Sequence, residues 1–170
     1  MAKKARLTGI KQVTQGLNEA FKKIEKGSVK GLIHAAIIIR RDMEDTSPKI
    51  PIDTGNLRAS WFAVTKQGNQ STGGQFKGED GSKEKGLHSQ AISQAKGMTS
   101  MIINPTIVLG FSASYAEIVH EMIGADFTSP RVRRGKEYTP RPGSGAKFFE
   151  SAVYRNKDKI LQIIRKEAQV

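Results

Sequence analysis

Between Ile10 and Met43, apolar residues return every three or four positions: Val13, Leu17, Ala20 and Phe21, Ile24, then Leu32, Ala35 and Ala36, Ile39 and Met43, with a gap around Ser28. That spacing puts them on one stripe of a long amphipathic helix. Lys11, Gln15, Glu19, Lys22, Lys23, Lys26 and Lys30 fall on the opposite, solvated face. Residues 32–39 are apolar on nearly every side, so the second half of the helix is expected to be the more buried. Gly27 and Gly31 each weaken the middle by about 1 kcal/mol relative to alanine, and a bend or a break into two helices is expected there. The helix must end before Ser47-Pro48-Lys49-Ile50-Pro51, because each proline lacks an amide donor and disfavours helical geometry in the residue before it.

Past the prolines, Asp53 and Thr54 are placed to cap the amides of Asn56 and Leu57, with Gly55 allowing the chain to reverse into a short turn over residues 57–60. Trp61-Phe62-Ala63-Val64-Thr65 is aromatic and β-branched and predicts a strand. Residues 67–86 hold six of the 17 glycines and show no apolar period, which predicts a loop or a hairpin tip. A short polar helix is expected over residues 87–96, a strand at Met101-Ile102-Ile103 and a stronger one over residues 106–111. Together residues 67–104 form a flexible insertion.

Ser112 and Ser114 are N-cap candidates for a helix over residues 115–122, which Gly124 ends in a left-handed turn. Residues 125–145 form a basic loop rich in Pro and Gly. A closing amphipathic helix is expected over residues 146–167, with Phe148, Phe149, Ala152, Val153, Ile160, Ile163 and Ile164 on one face. The sum is one α+β domain over residues 1–170, its long amino-terminal and its carboxyl-terminal helices packed on an antiparallel sheet.

The chain has no cysteine, which excludes disulfides, thiolate metal sites and a cysteine nucleophile. His34, His88 and His120 form no metal-ligand pattern, and His120 and Glu121 sit about 100° apart on a helix, a poor geometry for joint action. No nucleophile elbow, phosphate loop or dinucleotide fingerprint is present. Neither a catalytic residue nor a metal or cofactor site is expected. No segment approaches the roughly 20 apolar residues that span a bilayer, and a product of the cytoplasm is expected.

A formal net charge of +12 invites an acidic partner, nucleic acid included, or is a solvated surface. The excess concentrates at Lys3, Lys4, Arg6 and Lys11, and again at Arg131, Arg133, Arg134, Lys136 and Arg141. Asp42, Glu44 and Asp45 close the long helix against its macrodipole, either solvated or paired with the basic groups of a neighbour.

The run Pro51-Ile52-Asp53-Thr54-Gly55-Asn56-Leu57-Arg58-Ala59-Ser60, followed by Val108-Leu109-Gly110-Phe111 and Tyr115-Ala116-Glu117-Ile118-Val119-His120-Glu121, resembles the tail-completion or neck proteins of long-tailed bacteriophages. In that family a Pro-x-Asp-Thr-Gly-x-Leu-Arg-x-Ser segment precedes the first strand, and a Gly-Phe, then Tyr-Ala-x-x-Val-Glu-x-Gly-Thr segment follows a later one. The first segment matches throughout through Pro51, Asp53, Thr54, Gly55, Leu57 and Arg58. The second matches at Tyr115 and Ala116 and departs at His120-Glu121-Met122-Ile123-Gly124-Ala125, where the family tends to read Glu-Phe-Gly-Thr, with Glu121 and Gly124 near the places of its glutamate and glycine. Residues 140–152 are loosely similar to the family's closing segment.

The resemblance implies a non-enzymatic virion protein, assembled in the host cytoplasm and placed in the neck. There it forms a ring, a hexamer, that completes the tail tube and meets the head connector or stopper protein. DNA crosses such a ring, so Arg131, Arg133, Arg134, Lys136 and Arg141 face either that DNA, in nonspecific contact, or an acidic neighbouring subunit. Arg58 is either part of a capped turn that seats Leu57 and Trp61 in the core, or donates a salt bridge between subunits. The alternatives are a freestanding basic nucleic-acid-binding protein, or a minor structural or assembly protein on the capsid side.

Overall fold

The computed structural model describes residues 10–71, 75–78, 81–133 and 135–169, and it is α+β. Its first element is a single helix, α1 (Ile10–Asp45), which passes through Gly27 and Gly31 without a break. The expected bend is absent because the two glycines serve packing. A methyl group on Gly27 would lie 2.1 Å from the Glu167 carbonyl oxygen, and one on Gly31 would lie 2.8 Å from the Ile164 Cα. Both partners belong to the closing helix α5 (Phe148–Ala168), which runs antiparallel to α1, its Arg155 on Asp42 and its Glu167 on Lys30.

α1 ends as the prolines demand. The Ile50 amide turns back to donate to the Met43 carbonyl at 3.0 Å, and both side chains are fully buried. A one-turn helix, α2 (Asn56–Ala59), follows with Gly55 as its N-cap at φ +88°, a conformation that glycine adopts without strain. Of the two capping residues expected, Thr54 accepts from the Asn56 amide at 3.4 Å.

A three-stranded antiparallel sheet follows, with β1 (Trp61–Thr65) between β2 (Gly68–Ser71) and β3 (Ile107–Phe111). All five residues of β1 are buried, which requires cover on both faces. On one face Trp61 and Ala63, with Ile107, Leu109 and Phe111, pack against Ala36, Ile39 and Met43 of α1 and Phe148 and Ala152 of α5. On the other, Phe62, Val64 and Val108 meet Ala91, Ile92 and Ala95. Phe62 lies over its cross-strand partner Gly110, where a methyl group would meet the ring at 3.2 Å.

The second cover is α3 (Gly81–Met101), 21 residues long, where the sequence predicts a loop, a short helix and the start of a strand. Residues 67–104 are therefore a hairpin strand and a packed helix in their described part, and Ile102 and Ile103 form no strand. The inward face of α3 is made by Gly81, Glu84, His88, Ala95 and Thr99. Their spacing is helical, but small and polar residues carry it, so no apolar stripe marks it in the sequence.

Residues 125–145, expected as a loop, contain a small hairpin of β4 (Arg131–Arg133) and β5 (Lys136–Tyr138). The helix expected over residues 115–122 is the shorter α4 (Ala116–Glu121), with Tyr115 at its N-cap position and no side-chain cap. Ser112 donates instead to the Ser60 carbonyl at 3.3 Å. α5 starts at Phe148 rather than at residue 146, because Lys147 takes a left-handed φ of +56°. Among the described residues, no helix is long and apolar enough to cross a membrane.

Candidate functional site

Of the acidic close of α1, Asp45 is solvated beside Arg41, whereas Glu44 and Asp42 pair with cations of the same chain. Glu44 Oε1 accepts from Arg40 at 2.7 Å and from Arg58 at 2.8 Å, while Oε2 accepts from Arg141 at 2.7 Å. Arg141 also donates to the Glu44 backbone carbonyl. The Glu44 and Arg40 side chains are each 14% exposed, so this cluster is largely shielded from solvent screening. Arg40 spans the joint, donating to the Arg58 carbonyl at 3.1 Å and lying 5.8 Å from the centre of the Trp61 ring. Burial pushes the Arg40 guanidinium below its ordinary pKa and Glu44 pulls it back, while Arg58 and Arg141 add to the lowering. Beside it, Arg155 holds Asp42 through Nε at 3.0 Å and the Ser47 carbonyl at 3.1 Å. Cations drawn from three other segments thus neutralise the unfavourable end of the helix dipole.

Arg58 donates to Glu44 of its own chain through Nε at 2.8 Å, with its side chain half exposed. Arg141 is likewise paired with Glu44 of its own chain, at 2.7 Å. Arg131, Arg133 and Lys136 lie on the two strands of the β4–β5 hairpin, but their side chains lie outside the described residues, as does Arg134 altogether.

The two motif halves meet beside this joint. Leu57 is buried, Pro51 is half-buried, and Asp53 and Thr54 reach the surface. Tyr115 packs against the core cluster that holds Leu57, and its hydroxyl faces the Thr54 side chain and the Leu57 backbone. Burial raises its phenol above the ordinary value, and the carboxylates of Glu84 and Asp53 raise it further. Ala116 is buried behind it, whereas Gly124 takes φ +83° in the turn beyond α4.

Glu121 lies on the outer side. Adjacent residues on one helix do join here: His120 Nδ1 is 2.7 Å from Glu121 Oε1, and Lys147 Nζ is 2.5 Å from Oε2. The expectation of poor geometry fails because α4 stops at Glu121, and Lys147 draws both carboxylate and chain together, its amide donating to the His120 carbonyl at 2.7 Å. The hydrogen bonds from Lys147 and His120 hold the Glu121 carboxyl below its ordinary range.

Under α3 lies a polar strip that sequence reasoning missed. Asn56 is buried and grips the Lys77 backbone twice, donating to its carbonyl at 2.9 Å and accepting from its amide at 2.8 Å. His88 Nδ1 sits 2.8 Å from Ser112 Oγ, with the ring between Phe62 and Phe76. His88 Nε2 and Glu84 Oε2 are buried with no hydrogen-bond partner among the described residues. Desolvation lowers the His88 pKa below its ordinary value, so the neutral ring is favoured. The signal available in the sequence was the 81, 84, 88, 95, 99 spacing, which only a tally that accepts polar residues would register.

Among the described residues, no group of three or more His, Asp or Glu is placed to hold a metal ion. One carboxylate, that of Glu44, fastens α1, the turn after Gly55 and the segment before α5 into one joint. Compared with protein-family models, curated proteins and solved structures, the chain matches none.

Proposed function

We propose that this chain is a structural, non-enzymatic protein of the neck of a long-tailed bacteriophage. It completes the tail and joins it to the head connector as a hexameric ring through which DNA passes. The observation that carries the proposal is the convergence of the motif segments. Residues 53–58, 115–121 and 141–152, far apart in the chain, touch one another around the end of α1 through Tyr115 and Thr54, Arg58 and Glu44, Arg141 and Glu44, and Lys147 and His120. A segment kept only for a local turn would have no reason to meet the others.

A ring that takes no substrate needs a rigid body and outward faces that bind neighbours. The body is supplied by the joint. The faces are supplied by large apolar side chains left at the surface, Phe21, Ile118 and Ile123 among them, exposed by 67%, 62% and 74%. They fall in two groups, Phe21 with Val13, Leu17 and Ile24 along α1, and Ile118 with Met122 and Ile123 around α4, and grouped apolar side chains suit interaction surfaces.

The test is the mass of the purified chain by native mass spectrometry at low and moderate salt, with and without short duplex DNA and with tail-tube and connector proteins added. The expected outcome is a discrete ring-sized species, alone or on addition of a neck partner. A persistent 18.6 kDa monomer that binds duplex DNA tightly, with an affinity falling steeply with salt, would overturn the proposal in favour of the freestanding nucleic-acid-binding protein.

A further inference from the structure

The apolar face of α1 does not stop where its cover stops. α5 ends at Ala168, beside Gly27, and residues 10–26 project beyond it for roughly 25 Å at 1.5 Å per residue. Along this overhang Val13, Leu17, Phe21 and Ile24 are exposed by 63%, 54%, 67% and 41%. A lone amphipathic helix of this length is marginal in water, so such a stripe calls for a partner.

The chain itself carries a matching surface at the opposite end of α1. There α4 and the turn after it expose Ile118, Met122 and Ile123. This region sits by the carboxyl end of α1, because Lys147 binds the His120 carbonyl and Arg155, further along α5, holds Asp42. The two surfaces also differ in charge. Residues 10–26 carry Lys11, Lys22, Lys23 and Lys26 against Glu19 and Glu25, whereas residues 97–130 contain no Lys or Arg and hold Glu117, Glu121 and Asp126. Lys147 offsets part of that negative charge through its pairs with Glu121 and Glu150.

From this we infer that the α1 overhang of one copy docks on the α4 surface of a second copy, in a head-to-tail contact. Opposite charge steers the pairing, and burial of the two apolar sets holds it. Two overhangs laid against each other would bring like charges together, which disfavours a symmetric dimer. Because the two surfaces lie at opposite ends of a helix about 54 Å long, each copy offers one and accepts the other. Such contacts propagate, and they close as a ring when the rotation permits. The inference deepens the ring proposed above and rests on it.

A chain without cysteine makes the test direct. Full-length Phe21→Cys and Ile118→Cys variants, singly and mixed, are assembled and oxidised, and the products separated under denaturing conditions. The expected result is a covalent dimer in the mixture and little from either variant alone, with the double variant giving a ladder that ends at the ring. Self-linking of Phe21→Cys, or no link at all in an assembly of ring mass, would overturn this contact while leaving the ring intact. No assembly of the unmodified chain under any condition would overturn the ring itself. As a second readout, the exposed Leu17→Glu/Phe21→Glu pair is expected to keep its circular dichroism and fall to monomer mass, and retained assembly would overturn the contact.

Discussion

Gly27 of α1 faces the carbonyl of Glu167 so closely that an alanine methyl group would stand 2.1 Å from the oxygen. Alanine is the better helix former by about 1 kcal/mol, yet here the clash is with backbone, which cannot rotate away. Gly27→Ala is therefore expected to destabilise the protein by about 1–3 kcal/mol, as overpacking does. Gly16, on the overhang of the same helix, has open space around it, and Gly16→Ala is expected to stabilise its stretch by up to about 1 kcal/mol. Urea unfolding of the first variant and amide exchange over residues 12–20 of the second check the opposed signs.

Glu44 is 14% exposed and faces three guanidinium groups, so its loss strands the largely buried Arg40 and frees the more exposed Arg58 and Arg141. Glu44→Gln is expected to lose about 3–5 kcal/mol of stability. Arg58→Ala removes a donor that is half exposed and leaves Glu44 two others, so about 1 kcal/mol or less is expected. Equal losses in chemical denaturation would show that the joint is not centred on Glu44.

His88 gives a pH dependence of definite sign. Its pKa in the folded protein lies below the ordinary value of 6.5, so between the two values the unfolded chain binds the extra proton. Stability contributed by the neutral ring is thus present above 6.5 and lost as pH falls through that window toward the folded pKa. Glu121 and Glu167, whose carboxyls are lowered from 4.5, act at more acid pH and do not overlap with it. Stability measured from pH 8 to pH 5 should fall for the wild type and stay flatter for His88→Asn; parallel curves would count against the assignment.

Asn56 holds the Lys77 backbone from both sides. Asn56→Ala removes the acceptor of the Lys77 amide, which should then exchange with solvent hydrogen many-fold faster, while the β1 amides keep their protection. A Lys77 amide indifferent to the change would mean that this segment is held by other contacts.

The two long helices were legible because apolar residues recur at steps of three and four, although in α1 the stripe from Val13 to Ile24 lies exposed and the break expected at Gly27 and Gly31 is absent. β1 was legible as a strand from its aromatic and β-branched residues, while the burial of both its faces was read only from the structure. The cover itself was not legible. α3 meets the sheet through Ala91, Ile92 and Ala95 and turns Glu84 and His88 inward, a face that looks polar when only large apolar residues are counted. Nor was the joint legible, because Glu44 is 14 residues from Arg58 and 97 from Arg141, and pairings at such distances leave no local pattern. The motif between Asp53 and Arg58 lies at the joint, but nothing in it announces Glu44 as the partner of Arg58.

β2 and β3 flank β1 and both run antiparallel to it, so the two are parallel to each other and α3 is the strap that carries the chain from one edge of the sheet to the other. The β1–β2 hairpin is local and can zip within microseconds, but β3 cannot reach its place without drawing α3 across Phe62 and Val64. Pairing of the third strand and sealing of that face are consequently one kinetic event. Until it happens, a nascent chain displays a bare aromatic surface beside an unpaired strand edge, the combination that invites aggregation.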